Sequence, residues 1–389
     1  MKLSSRVQGI SPSLTLAVTA KARKMKAEGI DVIGFGSGEP DFDTPQYIKD
    51  AAIKSIQKGF TKYTPTSGID DLKKAICEKF SADNNLDYKP INIVVSCGAK
   101  HSIYNIIQAT CEEGDEVIIP MPYWLSYPEM VKMAGARPIF VPTDEADNFK
   151  ISARTLKRFL TKKTKLIIIN SPSNPTGCVY SKDELREIGE IVLKRGIFII
   201  SDEIYEKIIY DGKSHVSIAS INKGLFKNTI VVNGVSKSYS MTGWRIGYLA
   251  SPNKELISAI KNIQDHSTSN PTSISQMAAL EALRVKDGSV EAMVKEFQRR
   301  RDYIVERINR IKGLSCLKPE GAFYVFCRLE NKNLNSVGVT ERLLDEANVA
   351  VVPGKAFGSD SHIRLSFATS MDNIERGLDR IEMWFEKNN

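Results

Sequence analysis

The sequence predicts an α/β protein, with a large domain built on a mostly parallel sheet and a smaller α+β domain. Two observations predict this fold class. From about residue 90 to residue 250, short β-rich runs alternate with helical stretches, which is typical of parallel strands joined by crossover helices. After about residue 285 the pattern changes to a long charged helix followed by the runs GAFYVFCRL, VAVVPG and HIRLSFA.

The elements of the large domain follow one another in a regular order. Ile91–Ser96 has the composition of a buried strand and leads into a helix through Ala109. Asp183–Lys194 has the apolar spacing of an amphipathic helix, and Ser181 before it is a suitable N-cap. Further strands are predicted at Glu116–Ile119, Pro138–Val141, Leu166–Asn170, Phe198–Ser201, Thr229–Asn233 and Ile246–Ala250.

The small domain is predicted from two separate parts of the chain. Its charged helix is expected from Val290 to roughly Ile311, and a helix and further strands follow it. The N-terminal segment is expected to complete this domain. We therefore predict a large cofactor-binding domain at 46–285 and a small domain formed by 1–45 and 286–389.

The composition is that of an ordinary globular protein of 389 residues, with 54 basic and 46 acidic residues and a net charge of +8. The basic residues are scattered, and the tightest cluster, Arg299–Arg301, is interpreted as the solvated face of a helix. The sequence therefore does not predict nucleic-acid binding. The surplus of positive charge favours small anionic substrates instead.

Neither a membrane segment nor a metal site is predicted. The apolar run Leu14–Ala20 continues directly into basic residues and indicates an amphipathic helix, not a signal peptide. No run reaches the roughly 18 apolar residues of a membrane span. The six cysteines have irregular spacings without a C-x-x-C pair, which predicts reduced thiols in a cytoplasmic protein.

The most informative segment is GVSKSYSMTGWRIG, Gly234–Gly247. Lys237 follows a predicted strand in a loop of small and hydroxylic residues, where an aldehyde could approach its amine closely. Arg245 comes eight positions later and is suited to bind a phosphate group through two parallel hydrogen bonds. The segment therefore predicts a lysine that forms a Schiff base beside a phosphate site.

Three other polar motifs follow predicted strands. NSPSNPTG places Asn174 in a proline-bounded loop, and SDEIY supplies Asp202 and Tyr205 at a strand end. SCGAK is a strand-to-helix turn, and the amides of residues 98–100 at the start of that helix could hold a phosphate. Because ligands of parallel sheets bind beyond the carboxyl ends of the strands, these motifs are expected to lie together.

Taken together and in this order, these motifs resemble those of the class I/II aminotransferases, which depend on pyridoxal 5'-phosphate. The resemblance extends from SGEPDFDTP near the start to RLSFATS near the end, and is greatest to the bacterial and archaeal aspartate-specific branch. It implies the aminotransferase-like fold, known as fold type I of pyridoxal-phosphate enzymes. It also implies ping-pong transfer of the amino group of L-aspartate or L-glutamate to 2-oxoglutarate or oxaloacetate.

The resemblance assigns a role to each cofactor residue. Lys237 would form the Schiff base and move the proton, and Asp202 would pair with the pyridine nitrogen and keep it protonated. Asn174 and Tyr205 would hydrogen-bond the phenolic oxygen, and Trp124 would stack on the ring. The residues implied at the phosphate are Arg245, Ser236, the amides of Gly98 and Ala99, and Tyr63 from a neighbouring subunit, which implies a homodimer.

The resemblance also implies the substrate contacts. Arg364 would bind the α-carboxylate, and Gly38 would add a backbone contact. Lys100 lies in the first turn of a helix, where a cation is disfavoured, so an anion is expected to compensate it. That anion is either the distal carboxylate of the substrate or the cofactor phosphate. Some members have serine where this chain has Gly234, so one phosphate hydroxyl is absent and Ser236 or water must replace it.

Other functions remain open at this stage. A nicotinamide enzyme is disfavoured, because the glycine run Gly34–Gly38 is not followed by a helix. A C–S lyase, a decarboxylase, an aminotransferase of aromatic or other amino acids, and a cofactor-binding regulator would use the same scaffold. Members that act on prephenate carry lysine where this chain has Ser11, so strong prephenate activity is not expected.

Overall fold

The computed structural model describes residues 3–12 and 14–388. Within these residues the helices, α1 to α14 in chain order, are Ser5–Gln8, Leu14–Ala27, Gln46–Gln57, Asp70–Asn84, Ala99–Thr110, Ser126–Met133, Ala153–Phe159, Lys182–Lys194, Lys223–Asn228, Lys254–Asp265, Ser273–Arg284, Ser289–Ile308, Ser336–Ala347 and Met371–Asn388. The strands, β1 to β13, are Ile33–Gly34, Ile93–Ser96, Glu116–Pro120, Arg137–Val141, Thr164–Asn170, Phe198–Asp202, Thr229–Gly234, Gly247–Ala250, Leu314–Cys316, Tyr324–Leu329, Val349–Ala350, Val352–Pro353 and His362–Ser366.

The large sheet has seven strands in the order β2-β8-β7-β6-β5-β3-β4. Only β8 runs antiparallel to its neighbours, so the prediction of a mostly parallel sheet is confirmed. The central strands are buried on both faces; Ile199 and Ile200, successive residues of β6, are both 0% exposed. Their continuous apolar sequence follows from this double burial, because helices cover both faces of the sheet.

Several predicted element boundaries differ from the structure by one to three residues. The strand predicted from Ile91 begins at Ile93, because Pro90–Asn92 form a 3-10 turn and Ile91 is 64% exposed. The helix predicted to reach Ile311 ends at Ile308, with Asn309 as its C-cap. By contrast, Ser181 caps α8 as predicted, and Glu184 completes a capping box with it.

The C-terminal part forms a second, four-stranded antiparallel sheet in the order β12-β13-β10-β9. The N-terminal segment joins this part, because β1 pairs in parallel with β11 and Phe35 lies in the same hydrophobic core as Phe323 and Phe367. This pairing supports the proposed small domain of 1–45 and 286–389, whose limits remain a prediction. In the described part of the chain no helix is long and apolar enough to cross a membrane.

The polar residues of the predicted site follow from the strand ends. Asn170, Asp202 and Gly234 are the last residues of the adjacent strands β5, β6 and β7. Arg364 lies in the middle of β13, directly opposite Phe326 of β10. The site is therefore expected where the carboxyl edge of the large sheet faces the small one.

Candidate active site

A cavity of about 530 Å³ lies at the carboxyl edge of the large sheet. The predicted site residues that line it are Gly38, Ala99, Lys100, Trp124, Asn174, Asp202, Tyr205, Ser236, Lys237, Arg245 and Arg364. A more open groove of about 810 Å³ lies elsewhere, but Glu145 in its wall already pairs with Arg328 and His362. The smaller cavity is thus the candidate site.

Lys237 projects into this cavity from the loop after β7. Its ammonium donates a hydrogen bond to the carbonyl of Gly38 and lies 5.8 Å from the ring centre of Tyr205. Burial lowers the pKa of Lys237 to about 8; Glu39 opposes this shift, and Arg364 adds to it. With a pKa of about 8, a fraction of the Lys237 amine is neutral and nucleophilic near neutral pH.

Asp202 is held by a residue that the sequence did not indicate. The hydroxyl of Tyr127 donates a 2.6 Å hydrogen bond to Oδ2, and the amide of Ile204 donates to Oδ1 at 3.3 Å. Burial raises the pKa of Asp202 to about 6, although the Tyr127 bond lowers it. A buried carboxylate without a charged partner is costly, so the site favours a cationic group beside Asp202.

A second unpredicted tyrosine contacts Tyr205. The hydroxyls of Tyr205 and Tyr324 lie 2.9 Å apart, and both side chains are buried. The guanidinium of Arg364 lies 4.3 Å from the ring centre of Tyr324. Tyr324 thus connects the residue predicted at the cofactor with the residue predicted at the substrate.

The guanidinium of Arg364 is buried and only partly satisfied. Its Nη1 donates to Oδ1 of Asn174 at 3.0 Å, and its Nη2 donates to the carbonyl of Gly36 at 3.1 Å. Its Nε has no hydrogen-bond partner among the described residues. Because Arg364 is only 3% exposed and no carboxylate contacts it in the described part of the chain, it is suited to receive one from a ligand.

The turn before α5 is the segment that the sequence predicts to hold a phosphate. Gly98 has φ of +92°, and a Cβ there would lie 2.4 Å from Nη2 of Arg245. The guanidinium of Arg245 can therefore approach this turn only because residue 98 is glycine. The Gly98 amide donates to the carbonyl of Ser96 at 2.7 Å, and the His101 and Ser102 amides donate to the carbonyl of Gly98. The amides of Ala99 and Lys100 are therefore the ones at the start of the helix that are suited to bind an anion.

Gly234, the departure from the usual motif, has a steric explanation. A Cβ at this position would lie 3.0 Å from both Cα of Gly247 and the carbonyl oxygen of Ile246. A serine there would require the paired strands β7 and β8 to separate slightly. Ser236 is buried and lines the cavity, so it is the hydroxyl placed to replace the absent one.

Lys100 and Trp124 both line the cavity and contact each other. The ammonium of Lys100 is 4.9 Å from the ring centre of Trp124, a cation–π distance. Burial, with a smaller effect of Arg245, lowers the pKa of Lys100. Burial and the positive charge of Arg245 both disfavour an isolated ammonium group, so an anionic ligand in the cavity would stabilise the charge of Lys100.

Glu39 and Thr242 also line the cavity and were not predicted. The Thr242 hydroxyl donates to Oε2 of Glu39 at 2.7 Å, and Nη1 of Arg245 donates to the Thr242 carbonyl at 2.9 Å. The position of Glu39 beside Gly38 was the only sequence signal for it. Tyr63 does not line the cavity, and 90% of its surface is exposed.

These features define a pocket with a lysine amine, a buried carboxylate and a buried guanidinium on an α/β scaffold. The chain belongs to the family "Aminotransferase class I and II", whose model matches residues 30–381. This confirms the predicted family and the aminotransferase-like fold class.

Named relatives cover nearly the whole chain. Aspartate aminotransferase of Bacillus subtilis (strain 168) is 51% identical and covers 100% of both chains. Aspartate/prephenate aminotransferase of Nitrosomonas europaea is 47% identical over 98% of this chain and 99% of the relative. The solved structure of Thermus thermophilus aspartate aminotransferase with maleate has a TM-score of 0.95 and 41% identity, covering 98% of this chain and 99% of that one.

Proposed function

We propose that this chain transfers the amino group of L-aspartate or L-glutamate to 2-oxoglutarate or oxaloacetate, with pyridoxal phosphate as its cofactor. The observation that carries the proposal is the convergence of Lys237, Asp202 and Arg364 on one cavity of about 530 Å³. Lys237 supplies an amine, Asp202 supplies an acceptor for a cationic ring nitrogen, and Arg364 supplies a cation that binds a carboxylate. The name of the full-length relative from Bacillus subtilis supports aspartate as the amino donor.

The residues present fit pyridoxal phosphate. Arg245, Ser236 and the start of α5 would hold its phosphate, and Asp202 would pair with its ring nitrogen. Trp124, Asn174 and Tyr205 would contact the ring and its phenolic oxygen. When bound, this cofactor supplies an aldehyde that joins an amine and a ring that withdraws electrons from the adjacent carbon. The partly satisfied charges of Asp202 and Arg364 are the features of this structure that fit such a ligand.

Lys237 is proposed to bind the cofactor and to move the reacting proton. Its Nζ would accept the proton from Cα of the substrate and deliver it later in the cycle. Because burial brings its pKa to about 8, the amine can act in both directions near neutral pH. The carbonyl of Gly38, which accepts its hydrogen bond, would orient it.

Two cations would orient the substrate. Arg364 would bind the α-carboxylate, since Asn174 and the Gly36 carbonyl already fix the plane of its guanidinium. Lys100 would bind the distal carboxylate, which favours aspartate and glutamate over neutral donors. Gly38 would contribute a backbone contact on the same side.

We propose that the enzyme is a homodimer in which Tyr63 reaches the phosphate of the partner subunit. Tyr63 is 90% exposed, and Ile53 and Ile56 on α3 are 50% and 51% exposed. Large apolar side chains so exposed on one helix are typical of an interface.

Prephenate is proposed to be a poor acceptor. The amide of Ser11 donates to Oε2 of Glu129 at 3.1 Å, and Ser11 supplies no cation for an additional carboxylate. The name of the Nitrosomonas europaea relative makes prephenate the most informative second acceptor to test.

The proposal is tested by following the visible absorbance of the bound cofactor in each half of the reaction. We expect L-aspartate alone to bleach the band and 2-oxoglutarate to restore it, with phenylalanine and alanine reacting much more slowly. The Lys237→Ala variant should do neither, because the nucleophile and the proton carrier are lost together. Rapid bleaching by neutral donors only, or release of thiol from sulfur amino acids, would assign a different reaction.

A further inference from the structure

A buried charge network lies directly behind Asp202. Asp202 is the last residue of β6 and lines the cavity, whereas Glu203 directly follows the strand, does not line the cavity and is 0% exposed. Oε1 of Glu203 accepts hydrogen bonds from Ser201 at 2.8 Å and from Ser217 at 2.6 Å. Its Oε2 lies 3.0 Å from Nε2 of His215, an ion-pair distance without hydrogen-bond alignment.

Glu206 adds a second carboxylate to this network. It contacts the ammonium of Lys79 from α4 and accepts a hydrogen bond of 2.8 Å from Asn84. The side chains of Lys79, Glu206 and His215 are at most 7% exposed. Lys79 also lies 4.0 Å from the carboxylate of Asp83, which pairs with Lys207 at 2.8 Å. The three carboxylates and two ammonium groups of this network are balanced only when His215 is protonated.

The charges around His215 favour its protonated form. Burial alone would lower the pKa of His215, but Glu203 and then Glu206 outweigh it and raise the pKa, while Lys79 opposes them. Burial would raise the pKa of Glu206, but Lys79 and His215 bring it to about 2. The Glu206 carboxylate is thus ionised, and the His215 imidazole beside it is favoured in its cationic form.

The phenols nearest this network, Tyr88 and Tyr248, do not change its charge. Burial, and then the neighbouring carboxylates, raise the pKa of Tyr88 and Tyr248 above its usual value.

One carboxylate oxygen of Glu203, one of Glu206 and one ring nitrogen of His215 lie within 4.8 Å of one another, as metal ligands would. Because Lys79 already supplies the cation there, we interpret the group as a charge network and not as metal ligands.

We propose that protonated His215 is a positioning residue that neutralises Glu203 and thereby fixes the Asp202–Glu206 turn, which carries Asp202 and Tyr205 into the active site. The proposal rests on the proposed function for the roles of those two residues. Main-chain bonds also hold this turn: the Glu203 amide donates to the Val232 carbonyl at 2.9 Å, and the Asp202 carbonyl accepts from the Ser171 amide at 3.2 Å and from Nδ2 of Asn170 at 3.0 Å. The charge network holds the turn through the side chains of Glu203 and Glu206. Loss of the charge on His215 would leave Glu203 uncompensated one residue from Asp202.

The protonation of His215 can be measured without reference to activity. The chain has four histidines, so the imidazole resonances of His215 in an NMR titration are assigned by their absence in His215→Gln. We expect His215 to titrate above the ordinary pKa of about 6.5, and below it in Glu203→Gln. A neutral His215 in the wild type at pH 6.5 would overturn the proposal.

A double-mutant cycle separates the effect of losing the His215 charge from the effect of changing its side-chain shape. In His215→Gln we expect about ten-fold lower kcat for aspartate and weaker cofactor affinity, with KM nearly unchanged. The double variant Glu203→Gln/His215→Gln should recover most of both losses, because no uncompensated charge remains. A double variant as impaired as His215→Gln would overturn the proposal.

Glu116→Gln is the matched control for a merely structural role. Glu116 is 3% exposed, begins β3 at the opposite edge of the same sheet, and bonds Arg137 at 2.6 Å and Thr161 at 2.7 Å. The Glu116→Gln variant should have a lower free energy of unfolding than the wild type, with unchanged kcat and cofactor affinity. Equal losses of kcat in both variants would reduce His215 to a structural role. Failure of the proposed function would appear separately, as turnover that persists in Lys237→Ala.

Discussion

The hydroxyl of Tyr127 donates a 2.6 Å hydrogen bond to the carboxylate of Asp202. This bond stabilises the ionised form of Asp202 against the burial that raises its pKa to about 6. In Tyr127→Phe we therefore expect the acid limb of kcat/KM to move to higher pH. Efficiency at neutral pH should fall about ten-fold or more, since hydrogen bonds to charged groups contribute about 1.5–3 kcal/mol.

Tyr123→Phe is the control for this measurement. The ring of Tyr123 stacks on Phe140 with 4.9 Å between ring centres, in the same segment as Tyr127. Its pH profile should match that of the wild type. An unshifted acid limb in Tyr127→Phe would show that Tyr127 does not set the charge of Asp202.

The cofactor-free protein should be stabilised by Asp202→Asn. The folded pKa of Asp202, about 6, lies above the unfolded value of about 3.8, so the folded state binds more protons in this window. The free energy of unfolding of the wild type should therefore fall as pH rises from 4 to 6, on the order of 3 kcal/mol. Urea unfolding at pH 4.5 and pH 7 should show this loss in the wild type and a smaller one in the variant. Equal losses of unfolding free energy in the wild type and in Asp202→Asn would contradict the assignment of a raised pKa to Asp202.

Lys100→Ala should impair dicarboxylate substrates selectively. Loss of a charge-assisted hydrogen bond to the distal carboxylate costs about 1.5–3 kcal/mol, or roughly ten- to hundred-fold in efficiency with aspartate. Phenylalanine has no distal carboxylate, so its efficiency should barely change. If Lys100 serves the cofactor phosphate instead, both substrates and cofactor affinity should suffer alike.

Two inactive variants should complement each other if Tyr63 acts across the dimer. A hybrid of Tyr63→Ala and Lys237→Ala subunits contains one site with both native residues, whereas neither homodimer does. Refolding the mixture should yield activity above the sum of the separate variants. Activity no greater than that sum, or a fully active monomer by light scattering, would exclude the proposed arrangement.

Gly247→Ala should disrupt the phosphate turn. A Cβ at Gly247 would lie 2.1 Å from the amide nitrogen of Ala99, which cannot move without displacing α5. We expect a loss of several kcal/mol in the free energy of unfolding, as for overpacked buried positions. Gly243→Ala, in the loop before β8 and with nothing within 4 Å of its Cβ, should retain wild-type stability in the same thermal melt.

The sequence predicted those parts of the site that follow from local pattern. Asp202 and Asn174 follow predicted parallel strands, and the ends of such strands meet at one edge of the sheet. Tyr127 and Tyr324 were missed because their contacts depend on how α6 and β10 are oriented in space. Tyr127 is 75 positions from Asp202, and Tyr324 is 119 positions from Tyr205, and no spacing rule connects them.

The pairing of β1 with β11 has a consequence for synthesis on the ribosome. Ile33 lies opposite Val349, and the carbonyl of Gly36 accepts its bond from Arg364, 328 positions later. The strand that carries Arg364 thus emerges long after Lys237 and Asp202. Because contacts so distant in sequence form late, the strands that carry Asp202 and lead to Lys237 can pair before the guanidinium of Arg364 reaches the cavity and completes the proposed substrate site.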